Sequence, residues 1–329
     1  MTAPTPVTAP APAGRRVPAV SRFPTSAPRS AAEVAAVVAL VRAAEEAVGQ
    51  DLVTDHHAAH QADPDADAAG GPRRVIGHAA WDPDGARPLA YAQAARGPRR
   101  WELELAYDHD PGVATASLDA AAAALGATID EVGRAGGGPI NLWITRAEPA
   151  HDRLADAVGL RPARDLWQVR RPLPADEPWS LATRPFVVGQ DEGSWLAVNN
   201  RAFDWHPEQG GWTLDDVRAR EAEPWFDAAG FLVHEVDGQM AGFCWTKVHA
   251  DHDPPLGEIY VIAVDPARHQ RGLGRALVLA GLDHLSRAGL TVAMLYVDAD
   301  NTPATRLYDR LGFRLHHVDR AYTTDVPPT

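Results

Sequence analysis

The chain has 329 residues, of which 45% are apolar and 23% are charged, and its formal net charge at pH 7 is −13. This length supports two domains of ordinary size, and the composition excludes a disordered or membrane-embedded chain. The acidic balance argues against nucleic acid and anionic membrane surfaces as partners, because long-range steering favours cations.

Several features are those of a cytoplasmic protein. The single cysteine, Cys244, cannot form an intrachain disulfide, which fits a reducing compartment. No stretch approaches the roughly 20 apolar residues that span a bilayer. Residues 1–29 lack the apolar region of a signal peptide and are rich in proline and alanine, so we expect a disordered tail. We further expect the protein to act as a monomer.

Helical and strand periodicities alternate after the tail, which predicts an α/β protein. The first half is predicted to contain helices at 30–48, 114–126 and 149–158 and strands at 74–81, 88–95, 99–108, 140–147 and 165–173. After a proline-rich linker at 173–179, the second half is predicted to contain helices at 193–203, 272–287 and 302–312 and strands at 230–236, 240–248, 256–266, 291–300 and 313–322.

The two halves repeat one plan. Trp143 and Gly159 are 16 residues apart, as are Tyr296 and Gly312. This agreement predicts two tandem copies of one α/β domain. The predicted domains are 30–173 and 180–329.

A basic, glycine-rich turn in the second half has the character of a phosphate site. Gly272 and Gly274 stand where a helix begins, with Arg271 and Arg275 beside them. Missing side chains let a ligand approach first-turn N–H groups that lack intrahelical partners. A Walker A loop is excluded by the absence of Gly-Lys-Ser/Thr, and a dinucleotide fingerprint by Leu277 in place of its third glycine.

The residues around this turn resemble the GNAT superfamily of acetyl-CoA-dependent N-acetyltransferases. The resemblance implies two tandem GNAT-like domains with a mixed α+β sheet and direct acetyl transfer from acetyl-CoA. One departure is His269, where the family usually has Gln or Arg. The matching residues are Val264, Pro266, Gly272, Gly274, Asn301, Ala304, Leu307, Tyr308, Leu311, Gly312 and Phe313.

The resemblance also implies a set of acetyl-CoA contacts. Main-chain groups of one strand would meet the pantetheine arm as an added strand would, and the turn would cradle the pyrophosphate. The implied contacts are Ile262, Ala263 and Val264 in the strand, His269, Gln270, Arg271, Gly272, Leu273, Gly274 and Arg275 in the turn, and Asn301 and Arg306 beyond it.

Two residues are candidates for acid–base chemistry. Glu258 lies in an otherwise apolar strand, which is unusual unless it faces a cleft. The resemblance implies that it is the general base and that Tyr308 protonates the leaving thiolate. The alternatives are an outward-facing Glu at a sheet edge and a core tyrosine with a polar tip.

The second half is similar to one branch of the superfamily, whose tandem members acetylate the cysteinyl amine of cysteinyl-glucosaminyl-inositol. The likeness implies that Glu208, Lys247 and Tyr296, together with Glu258, contact this substrate. Surface or packing roles are the alternatives for each. The matching segments are VNNRAF (198–203), HPEQGGWT (206–213), EPWFD (223–227), GFCWTKVH (242–249), GEIYVIAVDP (257–266), LYVDADN (295–301) and HHVDRAY (316–322).

Neither a metal nor a covalent intermediate is expected. The histidines lack the i, i+4 spacing of a helical zinc site, and His316 and His317 should point to opposite faces of a strand. No serine has a nucleophile-elbow context. Asp319 and Tyr322 in the last strand are further residues that could face the cleft.

The first half departs from the active pattern. Its corresponding turn carries Asp108 and Asp110 and no arginine, so we expect no pyrophosphate and no catalysis there. A substrate-contacting acid expected in this half has a poor match at Gln50 or Asp51. Two other functions stay open at this point: acetyl transfer to a different amine, and a non-catalytic acyl-CoA-binding module.

Overall fold

In the computed structural model, the described residues are 19–22, 31–48, 75–97, 99–205, 209–268 and 272–329. The strands are β1 (Ala19–Arg22), β2 (Val75–Trp81), β3 (Pro88–Arg96), β4 (Trp101–Tyr107), β5 (Gly138–Ile144), β6 (Arg161–Pro172), β7 (Arg184–Pro185), β8 (Phe231–Val236), β9 (Gln239–His249), β10 (Leu256–Val264), β11 (Val292–Asp298) and β12 (Arg314–Val326). The helices are α1 (Ala31–Val48), α2 (Ala114–Arg134), α3 (Pro149–Ala157), α4 (Glu192–Ala202), α5 (Leu214–Glu221), α6 (Leu273–Arg287) and α7 (Thr302–Arg310).

The strands form one mixed sheet in the order β1-β2-β3-β4-β5-β12-β6-β11-β10-β9-β8-β7. The predicted α/β fold with two tandem copies is confirmed, because the described elements of the two halves follow the same order of strands and helices apart from α5, an additional helix in the second half. The strands at the junction are exchanged, however. The last strand of the chain, β12, pairs with β5 of the first half, and the last strand of the first half, β6, pairs with β11 of the second.

Side-chain packing follows this exchange. Tyr322 and Val326 of β12 belong to the core of the first half, whereas Val169 of β6 belongs to the core of the second. The division at 173–180 is therefore wrong for these two strands. Strand periodicity specifies which residues face a core, but it does not specify which neighbouring strand completes the sheet.

A charged cluster holds the exchanged strands together. Arg320 of β12 binds Asp165 of β6 through two hydrogen bonds of 2.6 and 2.7 Å and also binds Asp152 of α3 at 2.7 Å. Tyr322 donates its hydroxyl proton to the same Asp152. The Arg320 guanidinium holds the pKa of Asp152 below its usual range, so the ionised form is stabilised at neutral pH.

Helices cover the sheet on both faces. In the first half, α2 contributes Ala124, Leu125 and Val132 to the core at helical spacing. In the second half, α6 buries Leu277 and Leu285 against one face. On the opposite face, Trp195 of α4 belongs to an aromatic core that includes Phe231, Phe243 and Trp245.

Two predicted segments differ from the structure. Residues 19–22 pair with β2 as an antiparallel edge strand, so the prediction of a disordered tail is wrong for them. The rest of that tail lies outside the described residues. Helix α2 continues to Arg134, beyond the predicted end at 126, because Val132 extends its buried stripe. Within the described part of the chain, no helix combines the length and apolar character needed to cross a membrane.

Candidate active site

The site is built at an opening in the second half of the sheet. Strands β10 and β11 pair in parallel only from Leu256↔Val292 to Glu258↔Met294, although both strands continue. A bulge between Ile259 and Val261 shifts β10 against β9 at the same point. The strands therefore diverge, and residues 259–264 lie beyond their last β11 pair. The predicted pantetheine contacts, Ile262, Ala263 and Val264, are in this segment.

The glycine turn leads directly from the opening into α6. Gly272 is the N-cap residue with φ +87°, a conformation that favours glycine, and no side chain among the described residues caps the helix terminus. Leu273 is buried as the first residue of α6, and a Cβ on Gly274 would lie 3.9 Å from Val264. Arg275 pairs with Glu177 of the interdomain linker. The turn thus fits an anionic group. His269, Gln270 and Arg271 lie outside the described residues.

The end of β10 is clamped to α4. Arg201 binds Asp265 with its Nε at 3.2 Å and Nη2 at 2.8 Å, and Asp265 also accepts the Ala267 amide hydrogen. The Arg201 guanidinium holds the pKa of Asp265 below its usual range. Asp265 therefore positions the turn that follows it rather than contacting a ligand.

Glu258 is buried, with 2% of its surface exposed. Its carboxylate Oε2 lies 2.8 Å from His249 Nε2, and its strand neighbours are Lys247 on β9 and Met294 on β11. The prediction of an outward-facing edge residue is thereby excluded. A carboxylate in this position is shielded from solvent and oriented by an imidazole, which suits a base acting on a ligand in the opening.

Lys247 is also buried, and its ammonium group faces aromatic rings. Its Nζ lies 4.7 Å from the ring centre of Trp225 and 5.8 Å from that of Tyr260. These distances are in the range of cation–π contacts. Lys247 is therefore held on the same sheet face as Glu258, since the two residues are directly paired across β9 and β10.

Tyr308 lies on the other side of the opening. It belongs to the core that contains Ile259, and it contacts Phe313 with ring centres 5.7 Å apart. Burial, with a smaller contribution from the nearby Cys244, raises the pKa of Tyr308 above its usual value. The phenol thus stays protonated at neutral pH. Glu258, which precedes Ile259, faces the opposite side of the sheet, so these two candidates are not in contact.

The remaining cofactor candidates have different surroundings. Asn301 is the N-cap of α7, where its Oδ1 accepts the Ala304 amide hydrogen at 3.2 Å. Arg306 is exposed on the same helix. Whether either residue also contacts acetyl-CoA stays a prediction.

Glu208 lies outside the described residues, but the residues that follow it are hydrogen-bonded to α4. Asn199 donates to the Gln209 carbonyl, and Asn200 donates to the Trp212 carbonyl while accepting the Trp212 amide hydrogen. Asn199 and Asn200 therefore hold the residues that follow the loop against α4.

Tyr296 lies at the centre of the sheet, where the two halves meet. Its hydroxyl accepts a hydrogen bond from Gln168 of β6 at 2.7 Å, and Gln168 accepts one from Arg170 at 2.7 Å. Tyr296 lies on the sheet face that carries Glu258. Met294 is the strand neighbour of Glu258, and Met294 and Tyr296 point to the same side of β11. Sequence reasoning missed Gln168 and Arg170, because they come from the other half.

Two expectations about the last strand are corrected. A register shift between Leu315 and His317 places His316 at a bulge, so the His316 and His317 rings lie 5.3 Å apart and do not point to opposite faces. Tyr322 does not face the cleft, since it fills the first core. Asp319 is buried, and its Oδ1 accepts the Arg146 amide hydrogen at 2.9 Å, while a contact with a ligand stays a prediction.

The first half contains a degenerate version of the site. Strands β4 and β5 also diverge after the Leu103↔Leu142 pair. However, Asp108 accepts the Asp110 amide hydrogen, and Asp110 accepts the Gly112 amide hydrogen. These carboxylates occupy N–H groups that a pyrophosphate would need. Gln50 and Asp51 lie outside the described residues.

One group of described side chains has donor atoms close enough for a metal ion. His249, Asp251 and His252, on the β9–β10 hairpin, have donor atoms within 4.8 Å of one another. The helical-spacing argument missed them because a hairpin, not a helix, brings them together. The expectation that the protein uses no metal stays a prediction. His249 was not among the predicted site residues, although its i+2 spacing from Lys247 on a strand could have identified it.

Comparisons with known proteins identify the family of this chain. Residues 195–313 match the model of the acetyltransferase (GNAT) family. A mycothiol acetyltransferase from Thermobispora bispora is 52% identical over 195 residues, which are 57% of this chain and 66% of that protein. A mycothiol acetyltransferase from Nocardia farcinica is 46% identical over 230 residues, covering 66% of this chain and 76% of that protein.

Solved structures share the fold. A GCN5-related N-acetyltransferase from Sphaerobacter thermophilus has a TM-score of 0.56 at 23% identity, covering 89% of this chain and 92% of the other. A tandem GNAT protein from the clavulanic acid biosynthesis pathway has a TM-score of 0.57 at 15% identity, covering 94% of this chain and 100% of the other.

Proposed function

The chain belongs to the mycothiol acetyltransferase family, and from that premise we propose that it transfers acetyl from acetyl-CoA to the cysteinyl amine of cysteinyl-glucosaminyl-inositol. The products would be mycothiol and CoA. GNAT acetyltransferases use acetyl-CoA, and the uncapped first turn of α6 beside the diverging strands fits its pyrophosphate and pantetheine. The observation that carries the proposal is the buried carboxylate of Glu258 at the point where the strands separate.

In this mechanism Glu258 accepts a proton from the ammonium form of the acceptor, directly or through water. An α-amine has a pKa of about 7.7–8.0, so a modest base suffices at neutral pH. The freed amine lone pair forms a C–N bond to the thioester carbonyl carbon, and the C–S bond breaks. His249 orients the carboxylate during this transfer through its 2.8 Å contact.

Tyr308 is the proton donor to the departing sulfur in the same proposal. Its raised pKa keeps the hydroxyl proton in place throughout the neutral range. Once the C–N bond has formed, the nitrogen releases its second proton to solvent, the proton on Glu258 also returns to solvent, and Tyr308 regains a proton from solvent. The ammonium form of the acceptor and acetyl-CoA thus give the amide, the CoA thiol and one net proton. The first half supplies sheet strands and no acid or base.

The proposed function is tested with purified protein, acetyl-CoA and a panel of amines. Cysteinyl-glucosaminyl-inositol is compared with an aminoglycoside, a polyamine and a peptide N-terminus, and acetylated products are quantified by mass spectrometry after thiol capping. We expect product from the first acceptor alone. Preferred turnover of another amine would replace the assigned substrate. Acetyl-CoA binding without turnover of any amine would indicate a non-catalytic binding module.

Removing the contact between His249 and Glu258 should mainly affect the chemical step. We expect His249→Ala to lower kcat about tenfold with little change in KM, as expected for one hydrogen bond to a charged group. Steady-state kinetics in the presence of a chelator measure this. His252→Asn, on the same hairpin, is the control and should retain full activity. Equal losses in both variants would show that the hairpin, and not the carboxylate contact, is responsible.

Tyr308→Phe should have a smaller effect than loss of a typical general acid. A thiol has a pKa of about 8.5, so the leaving thiolate needs little help at neutral pH. We expect kcat to fall on the order of tenfold, below the 10²–10⁴-fold typical of acid–base groups. The loss should be larger with a thioester whose thiol has a higher pKa. A kcat independent of the thiol pKa would contradict this role.

A further inference from the structure

A cluster of hydrogen-bond donors lies on the sheet face of Glu258, at the junction of the two halves. Arg170 of β6 pairs with Met294 of β11, which pairs with Glu258 of β10. Two strand spacings, about 10 Å, therefore separate the backbone of Arg170 from that of Glu258. His317 of β12 pairs with Gln168 of β6, two residues from Arg170, and the Arg146 amide donates to Asp319, two residues beyond His317.

The two arginines in this cluster differ from others at the junction. Arg164 forms an ion pair with Asp298 at 2.5 Å, and Arg320 binds two aspartates. Among the described residues, Arg146 and Arg170 have no carboxylate within ion-pair distance. Burial and the neighbouring Arg146 lower the pKa of Arg170, which means that its positive charge is poorly compensated here. A ligand that supplies oxygen acceptors would relieve this.

The histidines provide a second, independent indication. The side chain of His317 is 7% exposed, and its Nε2 lies 3.3 Å from Asp319 Oδ1. Within the described part of the chain, neither ring nitrogen has a hydrogen-bond partner of good geometry. Buried polar groups are nearly always hydrogen-bonded, so such a pair of nitrogens needs an explanation. The bulge at His316 brings its ring to 5.3 Å from the His317 ring, and bulges recur where a strand re-aims side chains beside functional sites.

We propose that Arg146, Arg170, His316 and His317, with Gln168 and Tyr296, form the subsite for the hydroxyl-rich end of the acceptor, remote from its amine. The proposal rests on the function proposed above and assigns residues that determine acceptor specificity. The Arg170–Gln168–Tyr296 hydrogen-bond chain fixes the guanidinium, leaving its terminal N–H groups to a ligand.

A polyol fits the cluster better than a simple anion. Sugar and inositol hydroxyls both donate and accept, and so do a neutral imidazole, an amide side chain and a phenol. Burial and the nearby arginines lower the pKa of His316, so its ring is neutral at physiological pH and can both donate and accept a hydrogen bond. A site for a simple anion would need hydrogen-bond donors only. The distance from Glu258 leaves space for the glucosamine between the reacting amine and the inositol.

The test compares two acceptors in wild type and Arg170→Met. One is cysteinyl-glucosaminyl-inositol, and the other is cysteinyl-glucosamine, which lacks the inositol. We expect Arg170→Met to lower kcat/KM about tenfold to hundredfold for the complete acceptor and to leave it unchanged for the truncated one. Arg153→Met removes an exposed arginine of α3 as the charge-matched control and should change neither value.

Calorimetric titration of glucosaminyl-inositol, which has no cysteinyl amine, separates this proposal from the catalytic one. Binding to wild type that is lost in Arg170→Met supports the subsite even if no acetyl transfer is found. Equal losses of kcat/KM for both acceptors, or equal glucosaminyl-inositol affinities for wild type and variant, would overturn it. So would the absence of binding to wild type. Melting temperatures of the variants identify any general loss of folding.

Discussion

Glu258→Gln is expected to lower kcat by about 10²–10⁴-fold, the contribution typical of a positioned general base. Glutamine keeps the size of the side chain and can still contact His249, but its amide oxygen does not take up the proton of the acceptor ammonium. Because Glu258 is almost fully buried, water does not easily replace it. Single-turnover rates with saturating acetyl-CoA measure the chemical step directly.

The tandem repeat offers a matched control for this substitution. Glu102 of β4 pairs with Asn141 of β5 as Glu258 pairs with Met294, and it binds Arg100 and Asn141. Glu102→Gln should leave kcat unchanged, since the first half lacks a free anion turn. A loss of less than tenfold in Glu258→Gln would show that Glu258 is not the base. Equal losses in Glu258→Gln and Glu102→Gln would contradict the assignment of catalysis to the second half.

Tyr322→Ala is expected to reduce the free energy of unfolding by about 3–5 kcal/mol, the usual cost of truncating a buried aromatic residue. Tyr322 is fully buried in the core of the first half, although it lies in the last strand of the chain. The substitution should therefore loosen the first half while removing a residue from the sequence of the second. Urea denaturation measures the loss, and hydrogen exchange in β4 and β5 locates it.

Tyr322→Phe separates packing from hydrogen bonding at this position. It keeps the ring and loses only the hydroxyl contact with Asp152, so a loss of about 0.5–1.5 kcal/mol is expected. If hydrogen exchange increased only in α6 and β9–β10 of the Ala variant, the exchange of strands between the halves would be wrong.

Local residue patterns were sufficient for much of the site. Gly272 precedes the residues of α6 that form an apolar stripe, and the structure gives it the positive φ that glycine favours. Glu258 stood out because a carboxylate interrupted an apolar strand, and it proved to be buried at a break in strand pairing. Both features depend on neighbours a few residues away, which sequence patterns record directly.

The junction of the halves was not accessible in this way. Gln168 and Arg170 share a face with Tyr296 only because β6 inserts between β12 and β11. The bulge that brings His316 and His317 together depends on the register of β12 against β6. A strand sequence encodes which side chains are buried and leaves open the identity of the partner strand and the placement of an extra residue.

Composition, periodicity and the glycine turn thus specify two α/β repeats, one of them with a glycine N-cap at the helix terminus that we propose as the anion site. The exchange of β6 and β12 and the donor cluster beside Tyr296 depend on the tertiary structure. Their contacts join residues that are distant in the chain, for example Asp165 and Arg320, which are 155 positions apart. Such pairings are selected by the packing of both cores at once, and no local stretch of sequence contains that information.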